Sequence, residues 1–187
     1  MGILDTIADA DVDHALPKIE EGLKDYCWLQ DNVRQVYVSI NTEFQRIFNR
    51  FYRVRRDLRW RASYYRLMER AKPTGISFAE VLKRLKRATG NIEASFASKL
   101  VATLDPELPV IDKFVLKNIG LRLPCYSASD REQKTIGVYE QLCAAYAELT
   151  TNAKGRMICE RFRQCYPEVA ITKVKMIDLV LWQTRSG

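Results

Sequence analysis

Apolar side chains recur every three or four positions through most of this chain, and caps, prolines and glycines cut the pattern into short segments. That period lays one apolar stripe along a helix, and a stripe of this kind has to be buried against another element. In "SFAEVLKRLKRATG", Ser77 precedes Glu80 by the spacing of a capping box, Phe78, Val81, Leu82 and Leu85 form one face, and Gly90 suits the turn that follows. In "EASFASKLVATL", over 93–104, Phe96, Leu100, Val101 and Leu104 point inward, and Ala94, Ala97 and Ser98 permit close approach by a neighbour. "DPELP" is a turn whose backbone Pro106 and Pro109 restrict, and a helix over 113–119 ends at Gly120.

The remaining segments follow the same rule. Residues 15–30 fit a short amphipathic helix with Pro17 in its first turn. "VRQVYVSI" reads either as a short strand or as a turn leading into a helix. Residues 42–71 carry the longest helical pattern, through Phe44, Ile47, Phe48, Phe51, Val54, Leu58 and Tyr65, with no Pro or Gly inside it. Helical patterns cover 130–152 and 155–166, the second stopped by Pro167, and "ITKVKMIDLVLWQ" follows with Thr172 as a cap and Val174, Ile177 and Leu181 as its packed side. Asp178 lies inside that apolar helix, and its ion-pair partner is either Lys175, within helical reach, or an arginine from another helix. Short loops imply that successive helices touch. The pattern predicts an all-α fold, a compact orthogonal multi-helix domain spanning 1–187 with an acidic, mobile leader over 1–14, and 187 residues are enough to bury a core.

Several chemistries are excluded or disfavoured by what the chain lacks. It has five cysteines with no CxxC and a single histidine, His14, so neither a disulfide scaffold nor a Cys/His zinc site is expected; no metal or cofactor is assigned, and a reducing cytoplasm is the expected setting. Phosphate-loop, dinucleotide, HExxH and GxSxG signatures are absent, and no apolar run is long enough to span a bilayer. Carboxylate and lysine chemistry remain.

Charge is distributed unevenly. Residues 1–31 hold eight acidic and two basic side chains, whereas 46–87 hold fourteen basic and three acidic ones. Arg46, Arg50, Arg53, Arg56 and Arg59, with Lys83, Arg84, Lys86 and Arg87, are candidates for meeting successive nucleic-acid phosphates. Trp60, Tyr64 and Tyr65 lie among them, either as stacking partners for a base or as anchors of the helix to its core. The same block also reads as a solvated face or as the docking surface of an acidic protein, and the acidic leader is a further partner able to fold back on it.

"GNIEASFASKLVATLDPELPVIDKFV" resembles the central segment of the helix-hairpin-helix DNA glycosylases, in particular those with the 8-oxoguanine glycosylase fold. Pro109, Val110 and Asp112 carry the likeness, since a proline-containing turn there leads to an Asp that opens the next helix; "KVKMIDLVLWQ" is similar to the closing helix of proteins related to that fold. The resemblance implies DNA as partner, Asp112 as catalytic carboxylate and Lys99 as the weaker candidate for an amine nucleophile that forms a Schiff base. Read from the residues alone, Asp112 is a helix cap and Lys99 lays its stem over an apolar face. The chain is therefore read as a nucleic-acid-binding helical protein, with a glycosylase-like enzyme and a catalytically inactive DNA- or protein-binding module as the two forms of that reading.

Overall fold

A computed structural model describes residues 7–184, and every regular element among them is helical. The order is α1 (Asp9–Ala15), a 3-10 turn (Leu16–Ile19), α2 (Glu20–Asn32), α3 (Thr42–Phe51), α4 (Leu58–Ala71), α5 (Phe78–Thr89), α6 (Ala94–Leu104), α7 (Lys113–Ile119), α8 (Arg131–Leu149), α9 (Ala153–Cys165) and α10 (Lys173–Gln183). Among the described residues no helix is long and apolar enough to cross a membrane. The chain divides into two compact units: one formed by 1–20 with 106–187, the other by 21–105.

The discontinuous unit is organised around α10. Its residues from Val174 to Leu181 are all buried, as expected of a helix apolar on every side, and α1, the 3-10 turn, α7 and α9 pack on it. Thr172 caps it by accepting from the Lys175 amide at 3.1 Å. Gly155 lets the start of α9 approach the end of α8: a Cβ there would lie 1.7 Å from the Leu149 carbonyl oxygen. Residues 1–6 of the predicted leader fall outside the described residues. The rest of it forms α1, whose Val12 is fully buried and whose Asp9 and Asp13 pair with Lys154 and Arg161 of α9 at 2.8–3.1 Å.

The continuous unit is built on aromatic rings. Phe48 of α3 meets Tyr64 and Tyr65 of α4, with Phe44 beside Phe48, and Phe51 lies between Tyr52 and Tyr26 of α2. α4 packs on α5, and α5 packs on α6 as a helical hairpin turning at Gly90, whose φ of 75° is the left-handed conformation glycine adopts without penalty. Ser77 caps α5 as the sequence predicts, but Glu80 accepts from Arg84 at 2.8 Å in the manner of an i,i+4 pair.

One prediction fails here. The continuous helical pattern over 42–71 is two helices, with the chain turning between Phe51 and Leu58. Two local devices break it. Asp57 caps α4 through its Oδ1, which accepts from the Trp60 amide at 2.8 Å. At the end of α3, Arg53 takes φ 52°, its amide donates to the Arg50 carbonyl and the Val54 amide to the Asn49 carbonyl, which is the Schellman stop. "VRQVYVSI" contains no strand; it is a series of turns leading into α3.

Candidate functional site

The corner that carries Asp112 is fixed by its neighbours in the discontinuous unit. Thr172 donates its hydroxyl to the Pro106 carbonyl at 2.8 Å, and Tyr139 of α8 donates to the Pro109 carbonyl at 3.2 Å. Val110 and Ile111 are buried beneath the turn. Asp112 is then the N-cap of α7, half-buried, with Oδ1 accepting from the Phe114 amide at 2.7 Å. At the other end of α7, Asn118 donates to the Leu181 and Thr184 carbonyls of the α10 terminus, both at 3.2 Å, and Gly120 closes the helix at φ 78°. The corner and the helix it opens are thus tied to α8 and α10 by side-chain bonds to backbone carbonyls.

α10 and α8 also enclose a charged group. Lys175 Nζ lies 2.8 Å from Asp178 Oδ2, with the two side chains 1% and 7% exposed. The Tyr146 hydroxyl donates to Asp178 Oδ1 at 3.1 Å. Burial raises the Tyr146 phenol well above its ordinary value, and the charges of Asp178 and Asp112 add to the shift. The i−3 pairing of Lys175 with Asp178 is legible in the sequence; the tyrosine from α8 is not, because nothing in one sequence aligns two distant helices.

Lys99 lies in the continuous unit. Its Nζ donates to the Tyr52 carbonyl at 3.3 Å and stands over the rings of Phe96 and Tyr52, 5.0 and 5.7 Å from their centroids. The amine is therefore held by a carbonyl and by ring faces. Around it is a layered aromatic group. Trp60 stacks on Tyr64 at 5.0 Å and meets Phe96 at 4.6 Å, while the Arg56 guanidinium covers Trp60 and Phe96 and forms a two-pronged bond with buried Glu93 at 2.8 and 2.9 Å. Trp60 Nε1 is shielded from solvent and has no acceptor among the described residues.

Of the three aromatic candidates, Tyr64 and Tyr65 are core residues, 1% and 0% exposed. The Tyr64 hydroxyl donates to the Phe96 carbonyl at 2.9 Å and that of Tyr65 to Asn49 Oδ1 at 2.8 Å. Burial raises both phenols above their ordinary value. Trp60 is half-buried and takes part in the stack just described. The rings that lie among the arginines in the sequence, and so suggested stacking on a base, pack in or against the core in this fold.

The basic candidates are all exposed, but their charges are not equivalent. Arg50 makes a two-pronged bond to Asp25 at 2.5 and 2.7 Å, Arg56 is held by Glu93, and Arg84 by Glu80. Arg46 stands 3.9 Å from Glu43, an open contact. Arg53 and Arg59 flank the α3–α4 connection, and Lys83, Lys86 and Arg87 lie on the outer side of α5. Charge counting along the sequence overstates the block, because Asp25 and Glu93 lie outside it and neutralise two of its arginines.

Among the described residues, no group of three or more His, Cys, Asp or Glu side chains is placed to hold a metal ion. No protein family matches this chain, and neither does any curated protein or solved structure.

Proposed function

We propose that this protein binds nucleic acid through its continuous unit and is a helix-hairpin-helix DNA glycosylase-like enzyme that uses Asp112 to open the N-glycosidic bond of a damaged base. The observation that carries the reading is Asp112 itself. It is a half-buried carboxylate at the start of α7, on a proline corner tied to two other helices. The α5–α6 hairpin that precedes it, turning at Gly90, supports the fold half of the reading. In the reaction, the bond between the sugar carbon and the base nitrogen breaks with its electron pair leaving on the base. The Asp112 carboxylate stabilises the positive charge left on the sugar, and a water adds to that carbon while its proton passes to the departed base.

A second reading has its own support. Lys99 is engaged by the Tyr52 carbonyl and by two ring faces, which favours a reaction without a lysine nucleophile, or binding without excision.

The test is a panel of damaged-base duplexes, each followed by alkali cleavage. Asn is as good a cap as Asp, so Asp112→Asn removes the charge and keeps the helix start. Excision is expected to vanish in Asp112→Asn while the melting temperature is unchanged. Cleavage that survives the substitution removes Asp112 from the mechanism, and binding with no excision of any base leaves the second reading. A borohydride-trapped complex lost in Lys99→Ala would restore the lysine.

A further inference from the structure

We propose that the α3–α4 connection, with Arg53, Arg55 and Arg59 around the exposed Leu58, is where the continuous unit contacts a nucleic-acid phosphate backbone. This rests on the nucleic-acid half of the reading above and assigns it to one short segment of the basic block.

The first support is an exception to the chain's own habit. Three helices end with a residue in the left-handed conformation: α5 at Gly90, φ 75°, α7 at Gly120, φ 78°, and α3 at Arg53, φ 52°. The hydrogen bonds after α7, Gly120 to Lys117 and Leu121 to Leu116, repeat those after α3. Glycine is the residue such a stop favours, because a Cβ is strained there. α3 stops the same way with arginine, and strain of this kind is concentrated at functional sites. A guanidinium required at that point explains the choice.

Charge and exposure give the second. Arg50 before the segment and Arg56 within it are bound to Asp25 and Glu93, which anchors the segment. Val54 is buried beneath it. Asp57, in the same stretch, caps α4. Arg53, Arg55 and Arg59 are exposed, and Leu58, between the last two, is 77% exposed. Guanidinium groups held on a pinned turn suit tetrahedral phosphate oxygens, and an apolar side chain among them suits a sugar or a base face.

The experiment uses the full chain and a fluorescein-labelled DNA duplex of about 20 base pairs, with anisotropy measured from about 50 to 200 mM salt and thermal melts run alongside. Arg53→Gly is expected to raise the melting temperature by about 2–4 °C, because the strain is gone, and to lower the slope of log affinity against log salt by about 1. Arg53→Lys keeps the slope without the gain in melting temperature. Arg53→Gly/Arg55→Ala/Arg59→Ala lowers the slope by about 3. Wild-type protein that does not bind at low salt refutes the functional reading itself. Wild-type binding whose slope is unchanged in the triple variant, but falls in Lys83→Ala/Lys86→Ala/Arg87→Ala, leaves that reading standing and removes this segment. Competition by polyglutamate as strong as by unlabelled duplex overturns the proposal in favour of an acidic protein partner.

Discussion

The buried charges of α10 allow a sharp test of how this fold is held together. Lys175 and Asp178 lie 2.8 Å apart with almost no exposure. In Lys175→Met the stem is replaced by a side chain of similar shape, and Asp178 stays buried with only the Tyr146 hydroxyl on its other oxygen. Stranding one member of such a pair costs about 3–5 kcal/mol. For a chain of 187 residues, each kcal/mol moves the melting temperature by about 2–4 °C, so a fall of about 6–20 °C is expected by circular dichroism. Lys175→Met/Asp178→Leu removes both charges but leaves the Tyr146 hydroxyl without its acceptor, at about 1–3 kcal/mol. Adding Tyr146→Phe removes that cost as well, and the triple variant is expected to recover most of the loss. Two charges taken out of water gain little over an apolar replacement, whereas one charge left alone is severely penalised. A triple variant that melts no higher than Lys175→Met would refute it, and would make the ion pair itself the source of stability.

Three further outcomes follow from the same geometry. Gly155→Ala is expected to lower the melting temperature by about 2–12 °C, the effect of about 1–3 kcal/mol of overpacking, since the new Cβ would stand 1.7 Å from the Leu149 carbonyl oxygen and only backbone movement relieves it; an unchanged melt contradicts this. The Cys125 thiol is exposed and lowered from its ordinary value by its bond with Ser127 and by nearby amides, whereas burial raises Cys27, Cys143 and Cys159. Maleimide followed by peptide mass spectrometry should find Cys125 modified ahead of those three at neutral pH, and faster modification of Cys159 would be inconsistent with the fold. Tyr64, Tyr65 and Tyr146 are kept neutral by burial. Unfolded tyrosines ionise near pH 10, so this contribution to stability is full below about pH 10 and is lost as pH rises beyond it. Tyrosinate absorbance should show these three appearing only with unfolding; their ionisation with the helical signal intact would show them accessible.

Much of the helical framework was legible because local chemistry marks it. Ser77 and Gly90 bound α5, Asp112 and Gly120 bound α7, and Thr172 opens α10, each at the residue the spacing indicates. What escaped were interactions without a local signature. The break inside 42–71 has no Pro or Gly because the left-handed stop is filled by Arg53. The fate of the basic block depends on Asp25 and Glu93, carboxylates far along the chain from Arg50 and Arg56. Tyr64 and Tyr65 show the limit of reading neighbours along a chain: rings set among arginines look the same whether they meet a ligand or a core. Asp112 is the converse case. Its cap geometry follows from the sequence, and the same geometry serves both the structural and the catalytic reading.

The pairing of Asp9 with Lys154 and Arg161 has a consequence for synthesis. The partners are separated by 145 and 152 residues, and Val12 and Leu16 are buried in the unit that 106–187 completes. On a ribosome, α1 emerges long before α9 and α10 and waits for them before its cover exists. Residues 21–105, by contrast, have all their own elements once the sixth helix is out. The continuous unit can therefore be complete while α1 still lacks its cover. Protease applied to chains arrested near residue 150 would reveal that order, cutting at α1 while α3 to α6 resist.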